Sequence, residues 1–446
     1  MTLLIKGGRV INPATQMDEQ ADVLIADGKV EKIQKSIAKE QADRVISAEG
    51  CYVMPGFIDL HVHFRDPGYT EKEDVFTGME AAAHGGYTTV LAMPNTKPVA
   101  DNADVVRFVH TKAKARKGTR VLQVGAITKG QLGGELADIE GMAEAGIPAI
   151  SEDGKSVMNA YIYREGMKVA KKLGIPVLAH CEDINLVNHG VMNADDKAKE
   201  LEMPGISNAA EDVIIARDIV LARETGVHLH LCHCSTKDSV WLVKSAKKGG
   251  CRISAEVCPH HFTLTSDDIK PAEPQIEAGI MISRDIDADT NFKMNPPLRT
   301  KEDVQALKEG LRDGVMDVIA TDHAPHSFDD KNTSMKTAPF GIVGLETAAS
   351  LTYSELVLGG YLTPVQMAEK MSYNPAKVIG LDRGDIQTGK AADLVIFDPD
   401  ETYTIDKNTF ASKGRNTPFH GREVTGKVKC TICGGEVIFN ETEKGK

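Results

Sequence analysis

An alternation of short apolar strands with amphipathic helices is the feature that most constrains the fold of this chain. Strands are predicted at residues 53–63, 87–95, 120–127, 147–153, 175–180, 228–233, 252–257 and 318–323. The helix patterns after Asn102 and Asn208 follow an N-cap residue and precede a Gly. Continuous apolar strands in βα repeats are typical of parallel sheets that are buried on both faces. The sequence therefore predicts an α/β fold with a TIM (β/α)8 barrel.

The two ends of the chain have a different pattern. Residues 1–54 contain short strand patterns with a hairpin turn at Asp27-Gly28, and the chain from about residue 385 resumes this pattern. A chain of 446 residues is too long for one core of ordinary size, so a smaller second domain is expected. We predict a small β-sandwich domain built from residues 1–54 and 385–446, and a barrel formed by residues 55–384.

Composition and charge exclude several classes of partner. The net charge of −12 argues against nucleic acid or anionic lipid as the main partner. No apolar run reaches the roughly 18–20 residues that span a bilayer, and residues 1–10 lack the features of a signal peptide. We therefore expect a cytoplasmic protein whose eight cysteines are reduced. The isolated Cys430-x-x-Cys433 pair is interpreted as thiols rather than as a zinc knuckle.

Polar side chains follow the predicted barrel strands. They are His61, His63, Asn95, Asp153, His180, His233 and Asp322. In a barrel the C-terminal ends of the strands meet on one face, where active sites lie. His61 and His63 are two residues apart on a strand and therefore point to the same side. Two inward-facing imidazoles next to the apolar sequence FIDL are costly unless a ligand satisfies them.

These residue types predict a metal site. His61 and His63 can hold one ion, and His180 and His233 can hold a second. Asp153 is placed to bridge the two ions, while Asp322 can contact one ion and face a nucleophilic water. Nitrogen and oxygen donors with room for solvent suit two zinc ions per subunit. Cys232 and Cys234 flank His233, point to the opposite face of the strand, and are interpreted as packing residues.

A dense, ordered set of motifs surrounds the predicted ligands. The motifs are GFIDLHVHFRDPGYTEKED (56–74), GGYTTVLAMPNTKP (85–98), SEDGKSV (151–157), LAHCED (178–183), HLCHCS (230–235), EVCPHHF (256–262), KMNPPLR (293–299) and ATDHAPH (320–326). This set resembles the amidohydrolase superfamily and, within it, the bacterial type I dihydroorotase family. The resemblance covers essentially the whole chain and implies the same two-domain fold. It also implies a hydrolase that acts on cyclic amides.

The expected reaction is the reversible, zinc-dependent hydrolysis of (S)-dihydroorotate to N-carbamoyl-L-aspartate in de novo pyrimidine (UMP) biosynthesis. The resemblance implies the six ligands given above, with Asp322 also acting as the catalytic acid–base. Many superfamily members bridge their metals with a carboxylated Lys, whereas this chain has Asp153, as the type I pattern does. Lys155 remains an alternative bridging residue. The family implies a small-molecule substrate. A homodimer is expected because oligomers are common, and an association with aspartate transcarbamoylase is left open.

The substrate carries a carboxylate, for which Arg65 is the expected partner. Arg65 lies two residues beyond His63 and can bind a carboxylate in a bidentate manner. Asn95 can complete this contact, because its amide offers a donor and an acceptor. The resemblance adds His63, Asn295, His326, Phe340 and Gly341 as substrate-binding residues, the last two through their backbone in a polar stretch that could cover the site. His260 and His261 are interpreted as supporting or packing residues.

Two alternative functions remain open at this point. Another cyclic amidase, such as an allantoinase or a hydantoinase/dihydropyrimidinase, shares the His-x-His pair and the late Asp. The allantoinase pattern has Asn at the position of Arg65, and hydantoinases carry the bridging Lys. The other alternative is a catalytically inactive dihydroorotase-like scaffold, which usually lacks some of the ligands that are all present here.

Overall fold

The computed structural model describes residues 2–271, 276–277, 280–281 and 287–441. Its strands are β1 (Thr2–Asn12), β2 (Met17–Ala26), β3 (Lys29–Gln34), β4 (Arg44–Ser47), β5 (Tyr52–Pro55), β6 (Phe57–Val62), β7 (Tyr87–Ala92), β8 (Arg120–Gln123), β9 (Gly125–Ala126), β10 (Ile150–Ser151), β11 (Val177–Ala179), β12 (Met192–Asn193), β13 (Gly205–Ile206), β14 (Leu229–Leu231), β15 (Ile253–Val257), β16 (Ile276–Glu277), β17 (Ile280–Met281), β18 (Val318–Ile319), β19 (Leu394–Thr404), β20 (Glu423–Cys433) and β21 (Glu436–Asn440).

The helices lie mainly between the barrel strands and after the last of them. They are α1 (Val75–His84), α2 (Ala103–Lys114), α3 (Ile139–Glu144), α4 (Ala160–Leu173), α5 (Ile184–Val187), α6 (Asp196–Glu200), α7 (Ala209–Thr225), α8 (Lys237–Lys248), α9 (Pro259–Thr263), α10 (Lys301–Arg312), α11 (Phe328–Lys331), α12 (Ala348–Thr352), α13 (Pro364–Ala368) and α14 (Asn374–Val378). Within the described ranges, none of these helices has the length and apolar character needed to cross a membrane.

The barrel is a closed ring of parallel strands. They pair in the orders β6-β7-β8 and β9-β10-β11-β14-β15-β18, with β8 and β9 as two pieces of one interrupted strand. The amide of Val124 donates to Ala92 O and continues the ladder across that interruption. A parallel bridge between Val62 and His323 joins the first strand to the last. The predicted TIM barrel is therefore confirmed, although its strands are shorter than predicted.

The interior of the barrel is apolar below the site. Ile58, Leu60, Leu91, Met93, Val124, Ala149, Leu178, Cys232, Val318 and Ala320 form one buried cluster. These residues come from strands all around the ring, so their side chains meet at its centre. Ala376 and Val378 of α14 join the same cluster and close one end of the ring. Polar groups therefore concentrate at the opposite end.

A second sheet joins the two chain ends. Its strand order is β21-β20-β19-β5-β1-β2-β3, and β4 also pairs with β1. In the contact between the two ends, Leu394 and Val395 of β19 pair antiparallel with Pro55 and Met54 of β5. This confirms the small β-domain built from both ends. The domain bounds at residues 54 and 385 remain predictions.

Two local predictions had different outcomes. Asn102 caps α2 as predicted, with its side chain accepting from the amides of Asp104 and Val105. Asn208 was expected to cap α7, but its side chain makes no cap hydrogen bond. The backbone of Asn208 is itself helical, with φ of −56° and ψ of −33°, whereas a cap residue is normally extended, and its side-chain amide donates to Asp303 Oδ1 at 3.1 Å. The eight cysteines all lie in the described part of the chain and are free thiols.

Candidate metal centre

Asp153 lies at the centre of the predicted ligand set. It follows β10, and its carboxylate oxygens approach an imidazole nitrogen of each of the four histidines. The distances are 3.1 Å to His61 Nε2, 3.4 Å to His63 Nε2, 3.6 Å to His180 Nδ1 and 3.9 Å to His233 Nε2. Asp153 thus lies between the two predicted His pairs.

The remaining predicted ligand, Asp322, lies on the His61–His63 side of this cluster. Its Oδ1 is 3.1 Å from His63 Nε2 and 3.5 Å from His61 Nε2. On the other side, His180 Nδ1 and His233 Nε2 are 2.9 Å apart. The structure therefore brings all six predicted ligands together, although their strands are distributed around the barrel.

The distances between the ligand atoms, and one buried nitrogen that lacks a hydrogen bond, fit a metal site. Ligand atoms bound to one tetrahedral zinc at about 2.0–2.1 Å lie roughly 3.3 Å apart, close to the separations seen here. His61 Nε2 is fully buried and makes no hydrogen bond within the described residues, although Asp153 Oδ1 is 3.1 Å away. Leaving a buried polar atom unsatisfied is costly, and a bond to a cation would remove that cost.

The charges of the cluster also favour a cation. Burial would raise the pKa of Asp153, but the neighbouring imidazoles of His61, His180 and His233 outweigh it and hold this pKa well below its usual value. The imidazoles of His61 and His63 act in the same direction on the pKa of Asp322. Both carboxylates are therefore ionised at neutral pH, and they draw positive charge into the cluster.

Backbone strain marks three of the predicted site residues. Arg65, His233 and Asp322 adopt the left-handed region, with φ of 59°, 34° and 49°. Side chains other than Gly rarely occupy this region, which costs about 1–3 kcal/mol per residue. Each of the three follows a barrel strand. Such strain is typical of functional sites.

Two carboxylates that the sequence did not single out, the buried Glu256 and the partly buried Glu182, orient the histidines. His61 Nδ1 donates to Glu256 Oε1 at 3.2 Å, which leaves Nε2 directed at the cluster. Glu256 also accepts from His230 Nε2 at 2.9 Å. His180 Nε2 donates to Glu182 at 3.3 Å. An acidic residue inside the apolar strand ISAEV was the available signal for Glu256, because a buried carboxylate requires a partner.

Asn95 and Asn295 support these groups. Asn95 Oδ1 accepts from His63 Nδ1 at 2.9 Å, and Asn95 Nδ2 donates to Asp153 Oδ2 at 3.1 Å. Asn295 Nδ2 donates to Glu182 Oε1 at 2.8 Å. Both amides therefore lie at the rim of the cluster, with some of their hydrogen-bonding capacity already used. Their predicted contacts with substrate remain predictions.

The predicted substrate-binding residues Arg65, His326 and Phe340 lie together. Arg65 Nε donates to Pro325 O at 3.3 Å, and its Nη2 lies 3.3 Å from His326 Nε2. His326 Nε2 also lies 2.9 Å from Phe340 O. Since a carbonyl only accepts, Nε2 must carry the proton and donate to Phe340 O. Arg65 is partly buried and, within the described residues, has no ion pair with a carboxylate. Its guanidinium therefore keeps donors for an anionic ligand.

Four residues near the ligands were predicted to have alternative or supporting roles: Lys155, His260, His261 and Cys232. Lys155 is exposed, whereas Asp153 is buried in the cluster. His260 and His261 are buried beside each other, and His261 Nε2 donates to Pro296 O at 2.9 Å. Cys232 was interpreted as a packing residue and belongs to the apolar interior cluster. Its Sγ also lies within 4.8 Å of possible ligand atoms of His61 and Glu256, so Cys232 also borders the cluster of predicted ligands.

Comparison with known proteins is consistent with this geometry. The profile of the Amidohydrolase family matches residues 52–438. A dihydroorotase of Pelotomaculum thermopropionicum is 47% identical over 442 residues, which cover 99% of each chain. A dihydroorotase of Geobacter metallireducens is 45% identical over 439 residues, which cover 98% of this chain and 100% of that protein.

Solved structures with the same fold are more distant in sequence. The L-hydantoinase (dihydropyrimidinase) of Arthrobacter aurescens is 25% identical, with a TM-score of 0.84 over 98% of this chain and 96% of the other. The D-hydantoinase (dihydropyrimidinase) of Thermus sp. is 26% identical, with a TM-score of 0.81 over 99% and 96%. From its family profile, its fold and its full-length relatives, the chain belongs to the amidohydrolase family and, within it, to the dihydroorotases.

Proposed function

We propose that this chain is a dihydroorotase that catalyses the reversible hydrolysis of (S)-dihydroorotate to N-carbamoyl-L-aspartate. The observation that carries the proposal beyond family membership is the position of Arg65. Its guanidinium is partly buried beside the metal cluster and has no carboxylate partner in the described part of the chain. A substrate carboxylate would supply that partner through charge-assisted hydrogen bonds.

The proposed cofactor is a pair of zinc ions per subunit. His61, His63 and Asp322 would hold one ion, His180 and His233 would hold the other, and Asp153 would bridge them. When bound, such ions lower the pKa of a water and polarise the carbonyl that is attacked. The nitrogen and oxygen donors of this set suit zinc, and its solvent-facing side leaves room for a water and a substrate.

The proposed roles of the side chains follow from their positions. Asp322, ionised at neutral pH, accepts a proton from the attacking water and returns it to the ring nitrogen as the C–N bond breaks. One group can serve both directions because it ends each turnover as it began. Arg65 holds the substrate carboxylate, which keeps the ring within reach of the attack. The remaining contacts with the substrate are made by His63, Asn95, Asn295, His326 and the backbone of Phe340 and Gly341.

A hydantoinase-type function is the main alternative, because the matching solved structures are named as hydantoinases. Hydantoin rings bear no obligatory carboxylate, whereas the Arg65 guanidinium lies ready for one. The bridging position is also Asp153 rather than Lys, while the nearby Lys155 is exposed. Both observations favour dihydroorotate as the substrate. The complete ligand set likewise favours an active enzyme over a scaffold.

The decisive experiment measures activity and metal together. Purified protein is assayed with dihydroorotate, N-carbamoyl-L-aspartate, allantoin and hydantoin, and its metal content is measured by plasma mass spectrometry. We expect turnover of the first two compounds only, with about two equivalents of zinc. Preferred turnover of hydantoin or allantoin would refute the proposed substrate. Protein without metal and without any activity would favour the scaffold.

The cellular setting is proposed as well. We propose a cytoplasmic homodimer that acts on small molecules and binds neither nucleic acid nor membranes. We also propose an association with aspartate transcarbamoylase. Light scattering after size exclusion, with and without purified transcarbamoylase, measures both properties. A monomer that carries full activity would refute the homodimer.

A further inference from the structure

Lys331 is buried at the edge of the candidate site in an unusual environment. Its ammonium donates to three backbone carbonyls: Lys293 O at 3.1 Å, Pro339 O at 2.9 Å and Gly341 O at 3.0 Å. The side chain is 7% exposed, and within the described residues it has no carboxylate within 4.0 Å. Burying a cation without a counter-ion is costly, and here the three hydrogen bonds to carbonyls offset part of that cost. They use all three donors of the ammonium and link the backbone segments that carry these carbonyls.

Two of these three carbonyls, Pro339 O and Gly341 O, belong to residues 328–341, the polar stretch that is predicted to cover the site. We call residues 328–341 the cover segment, and its last residues include Phe340 and Gly341, which are proposed to read the substrate ring. Gly341 N–H donates to Lys293 O at 3.0 Å. Lys331 therefore ties the end of its own segment to the loop that precedes Asn295. A change at this ammonium would loosen two sets of proposed substrate contacts together.

Asn416 makes a comparable set of bonds from the C-terminal part of the chain. Its Oδ1 accepts from His326 N–H at 3.0 Å, while its Nδ2 donates to Ala324 O and to Gly341 O, both at 3.0 Å. The side chain is 4% exposed. This amide thus joins the loop after β18, which carries His326, to the end of the cover segment.

We infer that Lys331 and Asn416 are positioning residues that hold His326 and the Phe340–Gly341 backbone in the geometry for binding the substrate ring. The inference rests on the dihydroorotase function proposed above. Neither residue lies among the proposed metal ligands or substrate contacts. Both act through the carbonyl of Gly341, so removing either one should affect the same segment.

The test compares Lys331→Met and Asn416→Ala with the full-length wild-type protein. The matched controls are Lys336→Met, an exposed lysine of the cover segment, and Asn408→Ala, an exposed asparagine of the C-terminal part. Lys331→Met keeps the length of the side chain and removes its donors and charge. Because it leaves three backbone carbonyls without this donor, we expect a fall in Tm of a few degrees, with the protein still folded.

We expect KM for dihydroorotate to rise about tenfold in both test variants, equivalent to roughly one net hydrogen bond, with kcat changed less than about threefold. Zinc content should stay at the wild-type level. Hydrogen–deuterium exchange of peptides covering residues 326–343 should become faster in both variants. The two controls should change neither KM nor exchange.

Several outcomes would overturn the inference. Unchanged KM and unchanged exchange in the test variants would show that the bonds do not position the segment. A joint loss of kcat, zinc and thermal stability would indicate a general structural role instead. If Lys331→Met fails to fold, Asn416→Ala decides the question by the same measurements. An inactive wild-type protein would refute the proposed function, whereas the exchange data would still decide whether the segment is held.

Discussion

Asp322 is the residue on which the proposed chemistry depends most directly. It combines a strained backbone, with φ of 49°, and a carboxylate 3.1 Å from His63 Nε2. Asp322→Asn keeps a neutral oxygen ligand but removes the proton acceptor. We expect kcat to fall by about 10²–10⁴-fold while zinc content stays near that of the wild type. Steady-state kinetics and metal analysis check this, with Asp329→Asn on the exposed part of the cover segment as the control.

Arg65 is expected to determine substrate binding rather than metal binding. Replacing Arg65 by Met removes charge-assisted hydrogen bonding to the substrate carboxylate, and a net loss equivalent to one such bond is about 1.5–3 kcal/mol. We therefore expect kcat/KM for dihydroorotate to fall roughly 10- to 150-fold with unchanged zinc content. Arg107→Met, with a side chain that is 60% exposed on α2, serves as the control. Equal losses of zinc and substrate binding would contradict the assigned role.

Among the elements, the loop that carries Arg65 depends on one glycine. Gly68 has φ of +99°, and a Cβ at this position would lie 2.1 Å from Lys97 O. Gly68→Ala must therefore shift the loop against its neighbour after β7. A displacement of about 1 Å near a site can cost up to about 100-fold in activity, so we expect a 10- to 100-fold lower kcat/KM.

Gly50 offers a matched control for this prediction. It has a similar φ of +79°, but a Cβ there would meet no atom within 4 Å. Gly50→Ala should thus show only the cost of the left-handed conformation, about 1–2 kcal/mol, and retain activity. Equal activity of the two variants, measured by initial rates at saturating and limiting substrate, would exclude a role for the close contact at Gly68.

The barrel strands and their polar ends could be predicted because they depend on local patterns. Apolar runs set the strands, and the position of a His or Asp after a strand places it on the active face of a barrel. The prediction that Asn208 caps α7 was wrong, since its backbone is helical and its side-chain amide donates to Asp303 of α10. Asn416 carried no signal, because its partners Ala324 and Gly341 are 92 and 75 residues away in the chain.

Glu256 shows where the prediction of the site stopped. The sequence identified His61 as a ligand from its spacing to His63, whereas the group that orients its ring lies 195 residues away. Pairing of this kind depends on which barrel strands face one another across the interior. Residue spacing within one strand contains no such information. The metal-ligand residues could therefore be predicted from the sequence, whereas the hydrogen bonds that orient them could not.

For the whole molecule, metal should contribute to stability as well as to activity. The six donors come from strands around the entire barrel, so a bound metal pair would join them and favour the folded state. Removing metal that is present at 100–1,000 times its Kd costs about 3–4 kcal/mol, or about 3–4 °C in Tm for a chain of this size. Calorimetry after dialysis against dipicolinate checks this. Added zinc should restore both Tm and activity, and full activity of the chelated protein would contradict the proposed cofactor.

The C-terminal part should be necessary for both folding and the site. Strand β19 pairs with β5 directly before the barrel begins, and Leu394, Ile396 and Ile432 share a core with strands of the N-terminal part. Removing residues 389–446 would leave β5 with an unpaired edge and expose that core, which favours aggregation. The same deletion would remove the Asn416 bonds. We expect the truncated protein to be insoluble or inactive. The control, a chain that ends at Glu441, should match the wild type in solubility, Tm and activity. A truncated barrel that is monodisperse and fully active would show that the site forms without the end of the chain.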